Sequence, residues 1–97
     1  MTLQQFTETT TTSRPPENIS PLLEAMWYDA QGDWSKAHEV AQQIETPNGA
    51  WIHAFLHRKE GDVSNAGYWY RMAGKSFPNQ TLKEEWGEIV SFLLRED

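Results

Sequence analysis

Two histidines four residues apart are the residues of this sequence best suited to chemistry. They are His53 and His57, in the stretch HAFLHRKEGD that runs from residue 53 to residue 62. On a helix, residues four apart lie on the same face, so both imidazoles can approach one metal ion. Glu60 follows on that side, and Asp62 in the turn can add another carboxylate oxygen. The spacing therefore makes His53, His57 and Glu60 a candidate metal site.

The same histidines also have a structural interpretation, and the sequence favours it. The metalloprotease signature HExxH is absent, because the residue after His53 is Ala54. Histidines packed between helices, hydrogen-bonded here to Tyr68, Tyr70 or backbone groups, are common. No serine or threonine stands in a nucleophile motif, and no glycine-rich loop suggests phosphate binding. We therefore expect packing residues, no catalytic residue, no enzymatic activity and no cofactor.

The alternative is a small-ligand or metal-binding protein, conceivably an enzyme. It would use four residues: His53, His57, Glu60 and Tyr68.

Composition limits the class of protein. The chain has 97 residues, enough for one domain, and it contains no cysteine, which removes disulfides and thiolate metal sites. Its net charge of −6 argues against a nucleic-acid binder, since such proteins neutralise phosphates with Lys and Arg. The sequence shows no apolar run long enough to span a membrane and no signal peptide. These observations predict a cytoplasmic protein without nucleic-acid or membrane partners.

Capping and helix-ending residues divide the chain into a short arm and five helices. We expect residues 1–19 to form a flexible arm, with only Leu3 and Phe6 to hold it, and residues 20–97 to form a single all-α domain. Ser20 followed by Pro21 begins the first helix, as an N-cap before a proline at the first helical position. The remaining predicted helices cover residues 34–44, 50–60, 62–73 and a C-terminal stretch after Thr81, and TPNG at 46–49 is a break.

The C-terminal stretch has the pattern of an amphipathic helix. Thr81 and Glu84 form a capping box, in which each side chain satisfies a backbone donor near the other. The apolar residues that follow recur at helical spacing: Leu82, Trp86, Ile89, Val90 and Leu93. We expect this helix to cap the end of the helical stack.

An internal repeat relates the first two helices to the next two. A shift of 29 residues superimposes five identical residues, namely Ala25, Gly32, Asp33, Ser35 and Ala37 on Ala54, Gly61, Asp62, Ser64 and Ala66. A helix that ends in Gly-Asp, with Ala a few residues later, resembles the tetratricopeptide and Sel1-like repeats. The stretch from Trp51 to Gly74 also looks like short bacterial proteins without an assigned activity. The resemblance implies two helical hairpins followed by the capping helix.

Such repeats bind proteins or peptides in a groove lined by the first helix of each hairpin, so the resemblance implies an interaction module. Its groove residues in the second hairpin would be Trp51, Phe55, Arg58 and Lys59. Residues 50–80 carry a net charge of +2, from Arg58, Lys59, Arg71 and Lys75 against Glu60 and Asp62, which suits an acidic peptide or protein.

Three consecutive aromatic residues indicate a further contact surface. Tyr68, Trp69 and Tyr70 fan over about 200° of a helix, so one packed face cannot bury all of them. We expect the C-terminal helix to cover part of this cluster. The rest, with Arg71 beside it, would meet a partner.

The exposed end of the first hairpin predicts self-association. Trp27 and Trp34 lie on its outer side, where no further repeat follows, so we expect a homodimer. The alternative cover is the N-terminal arm, with Leu3 and Phe6 folding back.

Overall fold

The computed structural model describes residues 1–96, and within this range the chain is all-α. Its six helices are α1 (Leu3–Thr9), α2 (Pro21–Ala30), α3 (Trp34–Gln42), α4 (Pro47–Lys59), α5 (Val63–Met72) and α6 (Leu82–Glu96). The predicted fold class is confirmed, and no strand occurs among these residues. None of the described helices is long and apolar enough to cross a membrane.

Side-chain caps explain where several helices begin. The Ser20 hydroxyl accepts from the backbone N–H of Leu23, and Pro21 takes the first helical position, as predicted. The capping box of Thr81 and Glu84 is also present, with the two contacts at 3.1 and 2.9 Å. The prediction that TPNG is a break before a helix at residue 50 was wrong, because α4 already begins at Pro47.

Thr46 is the N-cap of α4 and Pro47 its first residue, so this segment opens the helix. Threonine before proline is an N-cap followed by a residue whose missing N–H costs nothing there, which is the same signal that starts α2.

Two helical hairpins form the body of the molecule. Helices α2 and α3 pack against each other, as do α4 and α5, and α3 also packs on α4. Within each hairpin the turn contains a glycine with positive φ, Gly32 at +84° and Gly61 at +89°. The following aspartate, Asp33 or Asp62, caps the next helix. Because α4 contacts α2, α3, α5 and α6, every residue from Gly49 to His57 is buried.

Helix α6 lies across α1, α2 and α4. This differs from the prediction that it caps the end of the helical stack. Its Glu85 is only 1% exposed and accepts three kinds of hydrogen bond. The donors are the Tyr70 hydroxyl at 2.7 Å, the Arg58 guanidinium at 2.8 Å and the Trp51 indole at 3.2 Å. Since each donor comes from α4 or α5, this carboxylate holds α6 against the second hairpin.

The N-terminal arm is ordered against the body, although the sequence predicted a flexible segment there. Thr2 and Gln5 form a capping box that starts α1. Phe6 is completely buried and lies 6.0 Å from the Trp86 ring of α6. The Trp27 indole donates to the Thr9 carbonyl at 3.1 Å. Sequence composition missed this helix because its single anchor, Phe6, is isolated among polar residues.

Candidate functional site

A cluster of three histidines lies where α3, α4 and α5 meet. His53 and His57 come from α4, and His38 from α3 joins them. Each of the three residues offers one ring nitrogen as a candidate ligand atom. These three nitrogens all lie within 4.8 Å of one another. The shortest contact joins Nε2 of His38 to Nε2 of His53 at 2.9 Å, a hydrogen bond between two imidazoles. We call these three residues the histidine cluster.

The repeat positions the cluster. His53 and His57 lie one helical turn apart on α4, and the packing of α3 against α4 brings His38 to them. In the sequence His38 was not a candidate, since it stands alone in its helix. The available signal was the repeat itself: consecutive hairpins pack so that the second helix of one meets the first helix of the next.

Two indole rings enclose the cluster. Trp34 stacks on His38 with ring centroids 4.8 Å apart, and Trp69 of α5 stacks on His53 at 4.0 Å. His53 and His57 are each only 7% exposed, while His38 is partly exposed. The predicted position in the helix contact is therefore correct for both α4 histidines. These stacked rings restrict the imidazoles to a narrow range of orientations.

The hydrogen bonds of His57 define which of its nitrogens is free to accept. Its Nδ1 lies 2.7 Å from a carboxylate oxygen of Glu60, an acceptor, so Nδ1 carries the proton. Its Nε2 lies 3.4 Å from the Asn65 amide nitrogen, a donor. A tautomer with its proton on Nδ1 keeps a lone pair on Nε2, which is the tautomer that a metal ligand bound through Nε2 requires.

Burial disfavours the charged form of two of the three histidines. Desolvation, followed by the neighbouring His38 and His57, lowers the pKa of His53 from 6.5 to about 4. Desolvation and the proximity of His57 also lower the pKa of His38. Each protonated imidazole would face other proton-binding rings in a poorly hydrated site. Near neutral pH, these two rings are therefore available as lone-pair donors.

The predicted partners of the histidines were wrong. Tyr68 is 47% exposed, and its ring meets the edge of Trp69 and does not bond to a histidine. Tyr70 is buried, but its hydroxyl donates to Glu85. Glu60 does contact the cluster through His57, and Asp62 lies close enough to His57 and Glu60 to form a second, more exposed group with them.

The residues predicted to bind a partner are divided between core and surface. Trp51 and Phe55 are buried in the core. Arg58 pairs with Glu85 at 2.8 Å, and Lys59 pairs with the buried Asp29 of α2 at 2.9 Å. Helix α6 covers the groove that the resemblance implied, since it packs on both α2 and α4. Three residues of α5 have other positions: Trp69 lies against His53, whereas Tyr68 and Arg71 are exposed.

A cavity of about 400 Å³ adjoins the cluster. It lies between the end of α3, the start of α4 and the end of α5. His53 and Trp69 form part of its wall. The remaining lining residues are Ala41, Gln42, Ile44, Glu45, Thr46, Pro47, Gly49, Ala50 and Met72. The cavity gives small solutes a route from solvent to one of the three histidines.

Comparison with family models, with curated proteins and with solved structures finds no match to this chain.

Proposed function

We propose that this protein binds a divalent transition-metal ion of the zinc class, with His38, His53 and His57 as its protein ligands. The observation that supports this best is the convergence of three imidazoles, whose candidate ligand atoms all lie within 4.8 Å of one another. The sequence favoured packing for His53 and His57. The third histidine, His38, was not a candidate in the sequence, and its position beside the other two favours a metal site.

The chemistry of the donors selects the class of ion. Three neutral imidazoles suit zinc and its neighbours in the first transition series, whereas magnesium and calcium prefer carboxylate and carbonyl oxygen. Zinc binds histidine nitrogens at about 2.0–2.1 Å, so ligand atoms within 4.8 Å of one another can converge on one ion by small side-chain rotations. The ion would replace the hydrogen bond between His38 and His53.

The surroundings of the ligands also fit. Glu60 accepts from Nδ1 of His57 at 2.7 Å, which is the carboxylate contact that commonly orients a metal-bound histidine. Because the pKa values of His38 and His53 are lowered, few protons need to leave these rings before an ion binds at neutral pH.

Thermal unfolding with and without zinc tests the proposal. Metal that binds only the folded state stabilises it by about 2.7 kcal/mol at a concentration one hundred times the dissociation constant. We expect the melting temperature to rise with zinc, and the rise to disappear in His38→Gln and in the double variant His53→Gln, His57→Gln. Magnesium should leave the melting temperature unchanged.

The control is Gln43→His, which places a histidine at the exposed end of α3, in a groove shared with Pro21 and Glu24 and outside the cavity beside His53. In the background of His38→Gln it restores the number of histidines without restoring the cluster, so it should not restore the response to zinc. If the parent does not respond to zinc, cobalt or nickel, the three histidines are packing residues and the proposal fails.

Exposed apolar side chains on α5 favour a second candidate function, self-association. Tyr68 and Met72 lie one turn apart and are 47% and 56% exposed, with Arg71 beside them. Within the described chain α5 packs on α4 and reaches α6 through Tyr70, while the face that carries Tyr68 and Met72 is exposed. Aromatic, methionine and arginine side chains are enriched in protein interfaces. We propose that a second copy of the chain covers this face, and the mass in solution tests it.

A further inference from the structure

We infer that the cavity beside His53 binds a small carboxylate with an apolar body, whose carboxylate group coordinates the metal ion. This inference rests on the proposed metal site and names its ligand. The occupant would be a monocarboxylate of a few carbon atoms, comparable to hexanoate in size.

The coordination chemistry calls for one more ligand. Three histidines leave a fourth position open on a tetrahedral ion, as in catalytic zinc sites. Neutral imidazoles also leave the ion without an anionic group in direct contact with it. A carboxylate supplies both an oxygen donor and a negative charge, which a neutral amine or azole does not.

The position of the cavity determines where this ligand comes from. Of the three histidines only His53 lines it, so a molecule in the cavity approaches the ion from the side of that ring. Among residues 1–96, Glu45, which is exposed, is the only ionisable residue in the wall apart from His53. No lysine or arginine lines the cavity, so an anionic head group has the metal ion as its only cationic partner there.

The wall determines the rest of the ligand. Its apolar part is formed by Ala41, Ile44, Pro47, Ala50, Trp69 and Met72. A volume of about 400 Å³ is near the lower end of the range for small-molecule sites. An alkyl chain buried against these side chains adds affinity with each methylene group, so acetate should bind more weakly than hexanoate.

The test uses the full chain loaded with cobalt, whose visible absorption reports its coordination sphere. We expect hexanoate to change the cobalt spectrum in a saturable manner, and to bind at least about tenfold more tightly to the zinc-loaded chain than to the metal-free chain by calorimetry. Because coupling is reciprocal, hexanoate should increase the zinc affinity by the same factor. Acetate should need a higher concentration for the same spectral change.

Two matched variants locate the binding site. Ala50→Leu fills the cavity beside His53 without removing a histidine, and it should weaken hexanoate binding while cobalt still binds. Ala30→Leu makes the same change in a separate cavity of about 360 Å³ lined by α2, Phe55 and Trp86. This second variant should bind hexanoate like the parent.

The outcomes separate this inference from the proposed function. If cobalt binds but hexanoate changes neither its spectrum nor the zinc affinity, the inference is wrong and the metal site stands. Equal binding of hexanoate to metal-free and zinc-loaded protein, or equal loss in Ala30→Leu and Ala50→Leu, would also overturn it. Tighter binding of the neutral probe 4-phenylimidazole than of hexanoate would exclude a carboxylate as the preferred ligand. If no metal binds, both proposals fail.

Discussion

At the scale of single residues, the buried His53 makes the stability of the fold depend on pH. His53 faces His38 and His57, stacks on Trp69, and has a pKa lowered to about 4 mainly by desolvation. In the unfolded chain the same imidazole titrates near 6.5. Between these two values the unfolded state binds more protons than the folded state, so acid favours unfolding.

We therefore expect the contribution of His53 to stability to be complete above about pH 6.5 and to be lost as the pH falls toward about 4. Chemical unfolding of the parent and of His53→Gln at several pH values between 7.5 and 4.5 measures this. The free energy of unfolding of the parent should fall more steeply with acid than that of the variant.

The comparison with His53→Gln cancels the effects of titrating groups outside the histidine cluster. Asp29, for example, has a pKa raised mainly by burial. Its contribution to the free energy of unfolding therefore increases as the pH falls, opposite to that of His53. Its effect is the same in both proteins and cancels in the difference. Parallel pH profiles for parent and variant would contradict the lowered pKa of His53.

The sequence predicted part of this site for identifiable reasons. Spacing on one helix placed His53, His57 and Glu60 together, because helical geometry alone relates residues four and three apart. His38 required knowledge of how two hairpins pack, since fifteen residues and a helix-to-helix turn separate it from His53. The cavity was not predictable either, because its wall combines three helices whose relative positions no local pattern specifies.

At the scale of secondary-structure elements, the repeated Gly-Asp turns determine where the paired helices end. Gly32 and Gly61 have positive φ, as expected for residues that end one helix before an aspartate caps the next. No atom lies within 4 Å of a Cβ built on either glycine. Any cost of a side chain there is therefore a backbone cost and not a steric clash with neighbours.

We expect Gly61→Ala to destabilise the fold by about 1 kcal/mol, because alanine is strained at positive φ. The matched control is Gly67→Ala, six residues further on and inside α5, where a Cβ would meet only the end of the Arg71 side chain at 3.7 Å. Alanine at this helical position should stabilise by up to about 1 kcal/mol. Denaturant unfolding of both variants measures the two free energies. Effects of the same sign would contradict this account of the turn.

Local signals predicted most element boundaries, and the failures have physical explanations. N-caps, Gly-Asp turns and the Thr81–Glu84 box act over three or four residues, so sequence alone reveals them. Helix α1 depends on Phe6 reaching Trp86 of α6, a contact across the whole chain. The orientation of α6 likewise depends on buried partners of Glu85 from two other helices.

At the scale of the whole molecule, the chain covers surfaces that the repeat pattern left open. The sequence predicts a homodimer because it offers no further repeat to cover Trp27 and Trp34. Trp27 instead donates to Thr9 of α1, and the Trp34 indole donates to the Leu56 carbonyl at 2.7 Å. That reason for self-association no longer holds, and the exposed face of α5 takes its place.

Sedimentation at micromolar concentration should then give twice the 11.2 kDa mass of one chain. Tyr68→Glu puts a charge in the centre of the α5 face, and we expect it to shift the equilibrium to the monomer because the carboxylate must lose its hydration in the interface. Ser35→Glu adds the same charge to the exposed first turn of α3 and should leave the dimer intact. A parent that sediments as a monomer would exclude this interface.

The buried carboxylate of Glu85 has a consequence for the order in which the chain folds. Its donors Trp51, Arg58 and Tyr70 belong to the second hairpin, and the Trp86 indole donates to the Met26 carbonyl, sixty residues earlier. Until α6 has been synthesised, these polar groups have water as their partner and the groove remains hydrated. The hairpins can therefore form early from local contacts, but the core closes only late, when the most distant pairings become possible.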